Sequence, residues 1–323
     1  MERDLRSLSS TSSAMLWPGG RRNIWVILET FRPWSFIMTA VSVMVGSLLG
    51  LLLSGQFNPW LVILVLVGVV AVHGATNILN DFFDTFYGID RPGSANSLYR
   101  THPILGGVLT LTQIIKYAVI LYIVAALIGI YLVYLRGWVI AVIAVTGCLA
   151  GFTYTAGPIK YKYRGMGEIS VFLMWGPFMT FGSYFVQTGN WDGLLAVLMV
   201  SVPLGIWVAL VLLANNLKDL KNDGILNIKT VAVKLGKKKA LKLFAGLTYV
   251  IYLISGLGII TGYFPLWSFL VFLTLPLALK LINNFTSQAN IPVDADPQTA
   301  QFAAIYGGLL TLSLLLEHFT SFI

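Results

Sequence analysis

The chain has 323 residues, of which 57% are hydrophobic and only 11% charged, with a mean hydropathy of +0.81. Charged residues make up about a quarter of an ordinary soluble domain, so this composition cannot build a water-facing surface and excludes a soluble enzyme. The net charge of +8 calls for no nucleic-acid partner, because membrane orientation accounts for where the basic residues lie.

Residues 1–22 are Ser-rich and mixed in charge, without the apolar core of a signal peptide. They are expected to form a flexible cytosolic tail, and residues 23–323 a single membrane-embedded domain. From Arg22 to Phe31, the spacing of Ile24, Trp25, Ile27, Leu28 and Phe31 predicts a short interfacial helix. A helical span needs about 20 apolar residues, rising about 1.5 Å each, to cross about 30 Å of hydrocarbon. Nine stretches qualify: 34–54, 59–80, 112–135, 137–154, 167–188, 193–215, 240–262, 266–284 and 301–321. Lipid offers nothing to a bare backbone, and runs this long suit helices rather than barrel strands. The expected fold class is all-α.

With nine spans, the N-terminus and the even-numbered connections share one side. All of the 21 Lys and Arg except Arg136 then fall on that side, which places it in the cytosol and the C-terminus outside. The single cysteine, Cys148, excludes an internal disulfide and disfavours a thiolate metal site. Connections 85–111 and 221–239 are long enough to form a cytosolic lid. His73 and His318 are read as structural, and Gly106-Gly107 lacks phosphate-loop spacing.

Two polar clusters interrupt this pattern. The second span runs into Asn77, Asn80, Asp81 and Asp84, and the sixth into Asn215, Asn216, Asp219 and Asp223. At about 100° per residue Asn77, Asp81 and Asp84 fall on one narrow helix face and Asn215, Asn216, Asp219 and Asp223 nearly do the same, so each helix offers a carboxylate and amide stripe. The same offset separates Asn77 from Asn215 and Asp81 from Asp219, with four spans between the stripes. Two four-helix units in parallel, with a ninth helix added around a central cavity, would bring the stripes face to face. Facing carboxylates repel unless positive charge lies between them. Oxygen-only ligands favour magnesium, which completes its shell with substrate phosphates and turns a diphosphate into a good leaving group.

These motifs resemble the UbiA superfamily of intramembrane aromatic prenyltransferases, from Arg32-Pro33 through the ninth span. Asn77 to Asp84, Tyr154 to Pro158 with Tyr163 to Glu168, and Asn215 to Gly236 are similar to the branch that prenylates 1,4-dihydroxy-2-naphthoate in menaquinone synthesis. Two departures from the ubiquinone-type pattern lean the same way: the second Asp stands three residues after Asp81, and Pro158 replaces the Lys four after Tyr154. The resemblance implies that Asp81, Asp84, Asp219 and Asp223, supported by Asn77 and Asn215, hold Mg2+ on an isoprenyl diphosphate. It also implies that an aromatic acceptor attacks the allylic carbocation left when diphosphate departs. Tyr154 is the candidate for shielding that cation, with Lys160 and Lys162 beside it. Lys218, Lys221, Arg91, Arg164 and Arg32 are further candidates for binding the diphosphate, although orientation alone accounts for each. A sister prenyltransferase acting on 4-hydroxybenzoate, a glyceryl phosphate lipid or a porphyrin stays open, as does an ion-coupled transporter.

Overall fold

In the computed structural model the described residues are 24–92, 102–288 and 290–320. The tail expected at 1–22 lies outside them, as does part of the lid expected at 85–111. The described residues contain helices and no strands.

Helix α1, Ile24–Thr30, is the expected short leading helix, and Arg32 in the left-handed region (φ 59°) turns the chain into the first span. Pro33 opens that span with a 3-10 turn, and α2 runs over Phe36–Ser54. Helix α3, Pro59–Phe86, begins where Asn58 accepts the Trp60 N–H and Pro59 needs no donor of its own. Its 28 residues make about 42 Å, so the helix outruns the hydrocarbon and carries its polar end into the interface. Helix α4, Leu111–Arg136, starts with a Thr110–Gln113 capping box. Helix α5, Trp138–Thr153, has 16 residues, or about 24 Å, short of a full crossing.

Helix α6, Gly167–Thr188, contains a π-helical stretch, Met174–Phe178, around Pro177, whose missing N–H forces the local rewinding. Helix α7, Leu194–Lys218, passes at Asp219 into the one-and-a-half-turn α8, Leu220–Ile225. Helix α9, Val231–Ile260, starts earlier than its basic first turns suggested: a short helical lead-in before the break at Gly236 (φ 71°) precedes the main helix, which Lys237, Lys238 and Lys239 open. Helices α10, Leu266–Ser287, and α11, Ala295–Thr320, complete the bundle. Among the described residues eight helices are long and apolar enough to cross a membrane, with α5 the shorter apolar helix beside them.

Packing places α3 along α4 and α7 along α9, the relation expected between corresponding helices of two similar units. Helix α11 fills the seam between α2, α7 and α10, where Trp207 lies 4.4 Å from Phe302 and 6.0 Å from Tyr306 between ring centroids. Arg136, the basic residue set apart by the charge pattern, donates to Val186 O (2.7 Å) and Gln187 O (2.9 Å) at the end of α6. A cation satisfying bare carbonyls at a helix C-terminus is a structural use.

The tightest crossing is α2 on α6, where a Cβ on Gly46 would lie 2.1 Å from Thr180 O. Gly46→Ala should therefore destabilise the bundle by about 1–3 kcal/mol, lowering the thermal unfolding midpoint of the detergent-solubilised chain. Gly246→Ala, where an added Cβ meets nothing within 4 Å, should not.

Candidate active site

The end of α3 is built around two fully buried carboxylates. Arg32, held in its left-handed turn, directs its guanidinium onto Asp81 Oδ1. Asp84 accepts from Lys162 Nζ at 2.7 Å, from Asn80 Nδ2 at 3.0 Å and from the Tyr163 hydroxyl. Lys162 Nζ also donates to Asn80 Oδ1 at 2.8 Å.

Two left-handed turns make these contacts possible. Beyond α3, Gly88 (φ 69°) folds the chain back so that the amides of Ile89 and Asp90 both donate to Asp84 O. Asp90, six residues past Asp84, thereby returns to the acidic end. Beyond α5, Lys160 (φ 46°) reverses the chain into the short 3-10 helix Tyr161–Arg164, and the Lys162 amide donates to Tyr154 O. That reversal brings Lys162 and Tyr163 onto Asp84.

The end of α7 faces this cluster. A polar cavity of about 20 Å3 is lined by Asp84, Asp90, Lys162 and Tyr163 on one side and Asn215, Asn216, Asp219, Asn222 and Asp223 on the other. Asp81 lies beside Asp90, and one ligand atom of each falls within 4.8 Å of the other and of His102. The two acidic helix ends do meet, as the sequence spacing required. Next to this cavity is a much larger and mostly apolar one, about 310 Å3, walled by α2 to α7. Arg32, Asn77, Asn80, Tyr154, Lys162 and Asn215 line it as well, so its polar end adjoins the acidic cluster. The apolar wall includes Val65, Ile128, Leu132, Ile140 and Met179.

The other expected residues fall as follows. Asn77 donates to Phe31 O and Ser35 Oγ, at 2.9 and 3.3 Å, so its amide nitrogen is occupied in tethering α3 to the first span. Lys160 sits on the Tyr87 ring, 3.4 Å from its centroid. Lys218 is buried in an ion pair with Asp296 at 2.6 Å. Arg91 is exposed and donates to Gly88 O, Arg164 is exposed and donates to Pro158 O, and Lys221 is exposed on α8. Among the described residues Arg32 and Lys162 are the expected cations seen bonded to the carboxylates of α3. His73 is bonded to Ser35 and Thr39 rather than to Asn77, in keeping with a structural histidine.

Sequence reasoning missed Asn80, Asp90, His102 and Tyr163. Asn80 was visible beside Asp81 but lay off the chosen helix face. Asp90 and Tyr163 depend on turns that a helical projection cannot represent, with Gly88 the one local signal.

Burial raises the Asp219 carboxyl to about 6, against the opposing influence of Lys218. Burial and then the charge of Asp219 raise Asp223 to about 7. Asp90 is also pushed up by burial, but the hydrogen bond from His102 outweighs this with its neighbours and leaves it below the usual carboxylate range. Clustered carboxylates on oxygen-only side chains around a void large enough for a water-sized species fit a hard divalent cation such as magnesium.

Residues 39–305 match the model of the UbiA prenyltransferase family. The chain belongs to this family. It is a prenyltransferase, and the transporter reading is set aside. It is 28% identical over 298 residues, 91% of the chain and 93% of the relative, to 1,4-dihydroxy-2-naphthoate octaprenyltransferase of Bacillus subtilis. It is 32% identical over 263 residues, 80% of the chain and 75% of the relative, to UbiA prenyltransferase domain-containing protein 1 of Mus musculus. The fold is similar to that of a UbiA homolog from Archaeoglobus fulgidus bound to GPP and Mg2+, with a TM-score of 0.64 at 13% identity, covering 90% of this chain and 98% of that one.

A cation entering this cluster must displace the protons that Asp219 and Asp223 hold below about pH 6 and 7. Mn2+ used as a spectroscopic probe should therefore bind about twentyfold more weakly at pH 6 than at pH 8, read by electron paramagnetic resonance of the purified chain. An affinity that does not change over this range would contradict the assignment of these carboxylates as ligands.

Proposed function

We propose that the chain transfers an isoprenyl group from an isoprenyl diphosphate to 1,4-dihydroxy-2-naphthoate, as in menaquinone biosynthesis, with the reaction centred where the acidic ends of α3 and α7 meet. The observation that carries this reading is the junction itself. A carboxylate cluster adjoins the polar end of an apolar cavity of about 310 Å3, the two environments that the head and tail of an isoprenyl diphosphate require. Asp81, Asp84, Asp90, Asp219 and Asp223 are the residues that would hold magnesium. When bound, it neutralises the diphosphate and improves it as a leaving group.

The remaining work falls to the chain's own side chains. Arg32 and Lys162 line both the acidic cluster and the large cavity, and supply fixed positive charge to the diphosphate. Lys218, Lys160, Arg91, Arg164 and Lys221 are less suited to that role because of their positions in the fold. Tyr154 lines the cavity wall edge-on to Tyr161, at 5.4 Å between centroids. An aromatic face there stabilises an allylic cation without trapping it as a nucleophile. Burial raises the Tyr161 hydroxyl above its usual range, so that ring stays neutral. The apolar walls keep water from the cation. The acceptor ring attacks with its electron-rich carbon, and loss of the carboxylate at that carbon as carbon dioxide restores aromaticity.

The naphthoate acceptor is supported by the sequence stretches similar to that branch and by the likeness to the Bacillus subtilis octaprenyltransferase. The proposed setting is the cell membrane, with the acidic end, the N-terminus and the lids toward the cytosol. The purified chain, given magnesium, isoprenyl diphosphates of several lengths and a panel of aromatic acceptors, should yield by mass spectrometry a prenylated, decarboxylated naphthoquinol. Asp81→Ala and Asp219→Ala should each lower turnover by at least about a hundredfold; Asp219→Ala should leave the thermal unfolding profile of the apo protein within a few degrees of the parent, whereas Asp81→Ala also strands the Arg32 guanidinium and should lower the midpoint further. Prenylation of 4-hydroxybenzoate in preference to the naphthoate would reassign the acceptor.

A further inference from the structure

His102 is the one histidine among the described residues that touches the acidic cluster, and its hydrogen bonds fix which nitrogen carries the proton. Nδ1 faces the backbone amides of Ile104 (3.3 Å) and Leu105 (3.2 Å), which can only donate, so Nδ1 is the acceptor. The proton of the neutral ring is then on Nε2, which lies 3.2 Å from Asp90 Oδ2. Both side chains are buried, 1% and 3% exposed. Asp81, Asp90 and His102 bring their ligand atoms within 4.8 Å of one another, a grouping that would pass for a mixed histidine and carboxylate metal site. The tautomer argues otherwise: the nitrogen turned toward the cluster already bears a hydrogen and has no lone pair to give a metal.

We propose that His102 is a positioning residue, which donates through Nε2 to hold the Asp90 carboxylate in the cation-binding cluster and so sets the cluster's affinity for divalent metal. This rests on the cation-binding reading of the cluster. Asp90 needs such a support more than its neighbours do. Asp81 and Asp84 stand on α3, with rotamers limited by the helix, whereas Asp90 stands on the turn after it, with its backbone held through Asp84 O. His102 returns from beyond the intervening segment and is itself fixed by two amides of its own turn. Hydrogen bonds that orient a ligating carboxylate typically govern metal affinity by about 10–100-fold.

The test is Mn2+ binding to the full chain in detergent, measured by electron paramagnetic resonance, with the metal dependence of turnover alongside. His102→Gln keeps an N–H donor near the Nε2 position, whereas His102→Asn places its amide near Nδ1 and preserves only the contact with the backbone. The expected result is about tenfold weaker Mn2+ binding for His102→Asn, with less than about threefold change for His102→Gln, and a matching shift in the metal concentration for half-maximal turnover at little cost to kcat. In an Asp90→Asn background, His102→Asn should have no further effect on affinity. Parent-like affinity in His102→Asn, equal losses in the two His102 variants, or additive losses with Asp90→Asn would overturn the proposal. If His102→Asn cannot be purified, affinity kept in His102→Gln and lost in Asp90→Asn supports the proposal, and any other pairing overturns it. Asp81→Asn separates the two levels: if it leaves Mn2+ affinity unchanged, the cluster is not the cation site, whatever His102 does.

Discussion

The structure is organised around the cost of bringing carboxylates together away from water. Two like charges about 4 Å apart repel by about 4 kcal/mol at an effective dielectric of about 20, and a whole domain is stable by only about 5–15 kcal/mol. Asp81, Asp84, Asp90, Asp219 and Asp223 therefore cannot all stay ionised in one buried cluster unless cations or protons accompany them. The chain uses both. Arg32 and Lys162 lie on Asp81 and Asp84, and burial leaves Asp219 and Asp223 ready to hold protons near neutral pH. The α7 side is thus the less compensated half, where added positive charge gains most.

This division also gives the two halves different tasks. The α3 half is knitted to the rest of the molecule by Arg32, Asn80, Lys162, Tyr163 and His102, whose bonds draw in the first span, the turn after α5 and the segment before α4. The α7 half passes directly into α8 at Asp219, and the Asp223 amide donates back to Asp219 O. A preorganised half with its own cations, opposite a half that titrates near neutrality, is what the proposed function asks of a site that would grip an anionic head group through metal and later release it. In the proposed reaction the apolar cavity behind them would take the tail by exclusion of water alone.

Much of this was legible in the sequence because membrane folding leaves few choices. Long apolar runs must be helices, and the matched Asn77/Asp81 and Asn215/Asp219 pairs place like features on corresponding helices. What stayed hidden depends on backbone turns rather than on periodicity. Lys160 and Lys162 look equivalent as neighbours in a short connection, yet a left-handed turn at Lys160 sends one onto the Tyr87 ring and the other onto Asp84. Lys218 looks like part of the second acidic motif, but lies around the helix from it and is taken by Asp296 of α11, a partner from the far end of the chain. Asp90 lies past the end of a helix and becomes part of the cluster only through the turn at Gly88. Helix α5 falls short of a full span because its boundaries are set by Gly137 and by the reversal after Tyr154, neither of which hydropathy measures.

The most direct test of the account is to locate the metal. Anomalous scattering from Mn2+ in crystals grown with an unreactive isoprenyl thiodiphosphate should place the ion between the end of α3 and the end of α7, with carboxylates from both as ligands and the isoprenoid tail in the cavity lined by Val65, Ile128 and Leu132. Manganese bound outside that junction, or held by one of the two helices with the other turned away, would contradict it.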